Sequence, residues 1–426
     1  MDMKLVGKTI AALRKKNGYT QEALADKMGI SPQAVSKWET GLGLPEASSL
    51  IELSDLFRVS IDSILQPGKL DRIPDFIRRN TAAPLEKILE DIPQIDRWNP
   101  PEGCDMYYSM PAMIAAALCA VEAQEQGQPV TLTNMNERFR ELMHIMGVGY
   151  GFLWTEKRNM IEELWRMNDL QGMAERAMGY YGRDYVWLTT GDATPEAMRR
   201  LMIWSINKGR PVVMEWAGGI PEFSIVTGYK DNGHTLTGWT YCGECAAGTN
   251  EKGMFVTPAR WNESFQFHML VIGDAVDSTY TDKESIGYAL KVLERGKPED
   301  TYITEAVAGD AALHKWLEAC DCIDNTLRLF HVNDIFTHAL YMNSIYTQKC
   351  ILSYYKKLSI SHDRNINDII TQISIAVSRL EGERHGLDAY RDKPVELAAA
   401  CKRHIESLIR HRVYMRGWLG QLYALL

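Results

Sequence analysis

The sequence predicts a multidomain chain, with an all-α domain first, an α+β domain next and all-α C-terminal helices last. Three observations predict it. Short helical runs punctuated by Gly18, Gly29 and Gly41 fill the first 66 residues and stop at Pro67-Gly68. Branched and aromatic runs then follow, namely Pro211-Val-Val-Met-Glu-Trp, Phe223-Ser-Ile-Val-Thr-Gly-Tyr and Thr235-Leu-Thr-Gly-Trp-Thr, with Asp231-Asn-Gly as a hairpin turn. From about residue 283 strand signals vanish, and Ile366, Ile369, Ile370, Ile373, Val377 and Leu380 recur at helical spacing. The boundaries are 1–68, a linker over 69–101, then 102–280 and 281–426. A length of 426 residues suits such a division.

Composition narrows the class. At 46% hydrophobic and 24% charged the chain reads as a globular protein, against long disorder. Its longest apolar run, around Pro111 to Val121, is far short of the roughly 20 residues of a membrane helix. The polar start MDMKLVGKTI lacks a secretory signal, and eight cysteines in so long a chain suit reduced thiols. The expectation is a cytoplasmic protein with no membrane partner. Net charge is −8, yet the first 37 residues hold seven cations against three anions. A basic end on an acidic body is the pattern of a nucleic-acid module joined to something else.

In the first domain, Thr20 suits an N-cap and Gly29 a left-handed helix stop. Ser31 then caps a second helix with Pro32 at its first position, where a missing N–H costs nothing. Ala25 is small where two helices cross. Leu24, Met28, Ile30, Val35 and Trp38 are spaced to share a core with Ile10, Leu13, Leu50, Leu53 and Leu56. This is a helix-turn-helix with flanking helices. The stretch over about residues 5–66 resembles the phage-repressor-like (xenobiotic-response-element) helix-turn-helix regulators. The resemblance implies that the second helix enters the major groove of operator DNA, with Ser31, Pro32, Gln33 and Lys37 at its reading end. Gln33 suits adenine and Lys37 suits guanine, while Gln21, Ser36 and Thr40 would contact phosphates. Pro32 stands where a polar base-reading residue is common, so readout there is weakened.

In the second domain, Cys104 precedes an apolar run and is expected at the start of a helix, where the dipole lowers a thiol pKa. Met146-Gly-Val-Gly-Tyr-Gly is a glycine-spaced turn, and Thr194 to Trp216 reads as a helix feeding a strand. This order resembles the papain-like fold of bacteriocin-processing cysteine peptidases, and more closely the N-terminal domain of the butirosin-biosynthesis acyltransferases. Those families pair the cysteine with a histidine opening the Val-Thr-Gly-Tyr strand and an acid after the next strand. Here the histidine position holds Glu222 and the acid position falls near Gly238-Trp239. A carboxylate beside Cys104 would raise its pKa rather than take its proton productively. His234, on the turn, and His268, near Phe265-Gln-Phe, are candidates to replace the missing base, each read first as an ordinary polar residue.

Other features carry less. Cys242-Gly-Glu-Cys245 lacks the second pair a zinc site needs, and Cys320-Asp-Cys322 has the wrong gap. No metal and no cofactor are expected. The many Trp and Tyr residues of the middle region read first as core. On the last helix Lys402, Arg403, Arg410, Arg412 and Arg416 face one acid, Glu406, and read as a solvated face, with a second DNA patch as the alternative.

The reading is a DNA-binding regulator, expected to be a homodimer on an operator, whose degenerate peptidase-like domain binds a small molecule. The expected pocket is Cys104, Tyr107, Trp216, Glu222 and Phe223, with Glu222 suited to a cationic or hydrogen-bond-donating ligand. The alternative is a cysteine-dependent acyltransferase or amidase fused to a DNA-binding module. A third is a scaffold whose middle domain only assembles dimers.

Overall fold

The computed structural model describes residues 3–57, 64, 84–96, 101–155, 160–161, 169–189, 192–218, 222–241, 248–259, 268–295, 306–321, 341–360, 364–390 and 393–426. The chain divides into two compact units. One holds Met1–Pro84 with Leu188–Trp204 and Arg260–Met269; the other holds the rest.

Among the described residues, the N-terminal part of the first unit holds helices α1 (Met3–Lys16), α2 (Gln21–Lys27), α3 (Pro32–Thr40) and α4 (Ala47–Phe57). The expected punctuation is present. The side chains of Thr20 and Ser31 accept from the N–H groups of Ala23 and Ala34. Gly18, Gly29 and Gly41 have φ of 74°, 63° and 73°, a region costly for any residue with a Cβ. Val6, Ile10, Leu24, Ala25, Val35, Trp38, Leu53 and Phe57 close the core.

In the second unit a central helix α5 (Ser109–Gln126) is buried without interruption from Ser109 to Val121. A helix apolar on all sides must lie inside the protein. It packs on α6 (Leu132–Ile145) and on one face of a seven-stranded sheet. That sheet contains β1 (Lys87–Ile88), β4 (Arg183–Thr189), β5 (Val212–Glu215), β6 (Phe223–Lys230), β7 (Thr235–Thr240), β8 (Phe255–Pro258) and β9 (His268–Ala275). The order is β4-β9-β5-β6-β7-β8. Both β1 and β5 pair antiparallel with β6, at Lys87↔Tyr229 and Val212↔Val226, so they share one edge of it. The β6–β7 turn takes positive φ at Asp231, Asn232 and Gly233, as the hairpin signal required.

Two expectations are corrected here. The stretch expected as a linker over 69–101 instead contributes strand β1 at Lys87–Ile88, and Ile92 and Ile95 beyond it are buried. The part of β6 that β5 leaves unpaired offers backbone hydrogen bonds, and a two-residue strand that takes them leaves no pattern in the sequence. The C-terminal region, read as all-helical, also supplies strand β10 (Ala306–Ala308). It pairs antiparallel with β2 (Leu153–Thr155), which pairs with β3 (Met160–Ile161). Three residues are too few to leave a periodic trace.

After α7 (Leu170–Tyr180) and α8 (Pro195–Asn207), the helices α9 (Asp282–Glu294), α10 (Gly309–Asp321), α11 (Thr347–Ile360), α12 (Arg364–His385) and α13 (Pro394–Leu425) otherwise behave as expected. Ile366, Ile369, Ile370, Ile373 and Val377 are buried in the same cluster as α5 and β6. One core therefore runs from Ile92 to Leu422. No helix among the described residues is long and apolar enough to cross a membrane.

Candidate functional site

The outward face of α3 is set by what its inward face must bury. Val35 and Trp38 are in the core, so Gln33, Lys37 and Thr40, at i, i+4 and i+7, form an exposed stripe on the other side. Ser36 is half-buried at its flank and Pro32 is half-buried at its start, beside the exposed cap Ser31. Thr40 donates to the carbonyl of Ser36 at 2.8 Å, so its one hydroxyl proton is used within the helix. Gln21 does not point freely outward. Its amide donates to Glu39 at 2.7 Å, which leaves its oxygen and one N–H for other partners.

A buried polar knot holds this arrangement. Arg14 on α1 gives two parallel N–H groups to the Glu39 carboxylate at 2.5 and 3.0 Å, and a third to the carbonyl of Tyr19 at 2.7 Å. Both side chains are about nine-tenths buried, at 10% and 8% exposed. Burial alone would push Glu39 upward, but the hydrogen bonds from Arg14 and Gln21 outweigh it and hold the carboxyl below its ordinary value. Gly7 is the second fixture. A Cβ there would collide with the carbonyl oxygens of Trp38 and Glu39, the latter 2.7 Å away, so only glycine lets α1 lie this close to α3. Neither feature left a pattern in the sequence, because each depends on a contact about 25 to 30 residues away.

The middle region also presents a polar site, but not around Cys104. The helix begins at Ser109, five residues later. The preceding segment is pinned elsewhere: Asn136 donates to the carbonyl of Gly103 at 2.6 Å, Arg140 pairs with Asp105, and the hydroxyls of Tyr346 and Tyr241 donate to the carbonyls of Asp105 and Tyr107. Cys104 is thus buried rather than placed on a helix end, and burial, with help from Asp105 and Asp96, pushes its thiol pKa up. This corrects the expected lowering. Ser109 occupies the first helical position instead, and its hydroxyl donates to Glu222 at 2.6 Å.

The other expected pocket residues lie close by in the fold. Phe223 opens β6 fully buried and pairs with Glu215, and Trp216 donates its N–H to the carbonyl of Glu222 at 3.2 Å. Trp216 has φ of 63°, a strained value for a bulky residue. Tyr107 meets Tyr346 edge-on at 5.1 Å and Tyr108 stacks on it at 6.2 Å. His234 is exposed on the β6–β7 turn, and His268 is buried at the start of β9. Cys242 and Cys245 lie outside the described residues.

Comparison with known proteins addresses the N-terminal part. The helix-turn-helix family (HTH_3) matches residues 10–64. The HTH-type transcriptional regulator YazB of Bacillus subtilis (strain 168) is 36% identical over 69 residues, 16% of this chain and 100% of YazB. The chain belongs to the helix-turn-helix transcriptional regulators.

Two further relatives of this regulator carry more specific names. The HTH-type transcriptional activator BcrR of Enterococcus faecalis is 43% identical over 76 residues, 18% of this chain and 36% of BcrR. The cryptic phage CTXphi transcriptional repressor RstR of Vibrio cholerae is 38% identical over 55 residues, 13% of this chain and 49% of RstR. The chain thus spans all of YazB but about a third and about half of the other two. The phage-repressor-like reading of the N-terminus and its DNA-binding role stand on these matches.

The basic C-terminal helix of the regulator is not a solvated face throughout. Arg412 is buried, pairs with Asp310 at 2.7 Å and donates to the carbonyls of Tyr150 and Leu293. Arg416 joins it on Asp310 at 2.9 Å, and Lys402 pairs with Asp321 at 2.6 Å. Both guanidinium groups donate to the Leu293 carbonyl in the last turn of α9, one of those that a helix C-terminus leaves open.

Proposed function

We propose that this regulator binds operator DNA as a homodimer in the cytoplasm and that its α+β unit responds to a small molecule without catalysis. The observation that carries the DNA reading is the exposed stripe Gln33, Lys37 and Thr40 on α3. Gln33 and Lys37 read base edges from the major groove, with Ser31 and Pro32 at the entering end of the helix. Ser36 and Gln21 fix register on phosphates. Thr40 joins them once its hydroxyl turns from the Ser36 carbonyl. A single unit of this kind makes few base contacts, so specificity requires two copies on half-sites about 10 bp apart. Sequences selected from a random duplex pool by the purified full chain should therefore contain an inverted repeat with that spacing. Enrichment of no common sequence would overturn the reading.

The α+β unit reads as a degenerate papain-like domain. What supports this is chemical: the helix start and the strand opening of that resemblance hold Ser109 and Glu222, while the nearby thiol is buried with a raised pKa. A ligand with a protonated amine or other donors suits Glu222 and the tyrosines around Tyr107. Limited proteolysis tests the proposed division at 1–68, 69–101, 102–280 and 281–426, with first cleavage expected between Gln66 and Trp98.

A further inference from the structure

Away from the Ser109–Glu222 site, a cavity of about 160 Å³ lies between the C-terminal half of α5, the turn that follows it, α6 and α11. Cavities of about 150 Å³ hold a molecule the size of benzene. Its walls are polar. Cys119, Glu122, Glu137, Arg138, Glu141 and Lys357 all line it.

Both cations are already committed. Arg138 pairs with Glu122 at 2.7 Å and lies over the Tyr181 ring at 4.1 Å. Lys357 pairs with Glu141, which also accepts from the Tyr181 hydroxyl at 2.6 Å. Glu137, solvent-exposed where it lines the cavity, has no ion pair or hydrogen bond among the described residues. The last turn of α5 carries no basic residue, so the partial negative charge of that helix end is not offset within its own sequence. Three carboxylates against two engaged cations leave the cavity net negative. A metal ion does not match, because no group of three His, Cys, Asp or Glu side chains among the described residues is arranged to hold one.

We propose that this cavity binds a small organic ammonium ion, its charge against Glu137 and its stem between α5 and α6. The proposal is independent of how the chain reads DNA.

Calorimetric titration of the full chain with n-butylamine and putrescine, with n-butanol and butyrate as neutral and anionic controls at constant ionic strength, tests it. Saturable binding of at least one amine, without binding of either control, is expected. Glu137→Gln should weaken that binding about tenfold, the scale of one charge-assisted hydrogen bond. Glu137→Lys should abolish it, and neither variant should change the melting temperature of the free protein. No saturable binding of either amine, equal binding of butanol or butyrate, or undiminished affinity in Glu137→Gln overturns the proposal.

Discussion

The hydroxyl of Ser109 donates to the carboxylate of Glu222 at 2.6 Å, joining the first turn of α5 to the residue before β6. A carboxylate at a helix N-terminus is favoured by the helix dipole, so the place suits Glu222. The pair ties the start of the helix to the opening of β6 without a nucleophilic thiol. Ser109→Ala should remove one of the hydrogen bonds to Glu222 and destabilise the α+β unit by about 1–3 kcal/mol in urea unfolding. Cys104→Ser should fold normally.

Thiol chemistry provides a separate check. Burial raises the Cys104 pKa, so the thiolate fraction at neutral pH is small. Alkylation of Cys104 by iodoacetamide at pH 7.5 should be much slower than that of a free thiol in an unfolded control. Labelling faster than that control would mean an activated nucleophile, and the acyltransferase reading would regain its footing.

Base reading is tested side chain by side chain. Gln33→Ala or Lys37→Ala should each cost about 1–3 kcal/mol on the selected operator and relax discrimination at one position. Gln21→Ala should weaken all sequences alike. Unchanged affinity and discrimination in both reading-helix variants would mean that α3 does not lie in the groove.

The Arg14–Glu39 pair predicts a pH dependence. Glu39 has its folded pKa held below the ordinary carboxylate value, near 4.3 in unfolded chains. Its contribution is therefore complete above that value and is lost as pH falls through the lower folded one. Arg14→Met, which strands a largely buried carboxylate, should cost about 3 kcal/mol or more at pH 7. The loss should shrink in acid, as read by melting of the N-terminal module.

Two glycines separate packing from propensity. Gly7→Ala forces α1 away from α3 and should destabilise the module enough to abolish DNA binding. Gly382→Ala, on the exposed side of α12 with nothing within 4 Å of the new Cβ, should stabilise by about 0.5–1 kcal/mol. Equal effects at the two positions would contradict the close α1–α3 approach.

What the sequence by itself determined is local. Thr20, Gly29, Ser31, Pro32 and Gly41 begin and end helices through groups within a few residues of one another, so they act without tertiary help. The same holds for the Asp231-Asn-Gly turn and for the isoleucine stripe of α12, whose period of 3.6 follows from backbone geometry. The tertiary structure decided what depends on distant partners. It placed Lys87–Ile88 on an edge of β6 and Ala306–Ala308 beside β2, strands too short to show in a pattern. It set the start of α5 at Ser109, because Asn136, Arg140 and Tyr346 hold the segment containing Cys104 in another conformation. It turned Arg412 and Arg416 from an apparent solvent face onto Asp310. A side chain's charge can be read from the chain, but the partner that neutralises it is chosen only when the core closes.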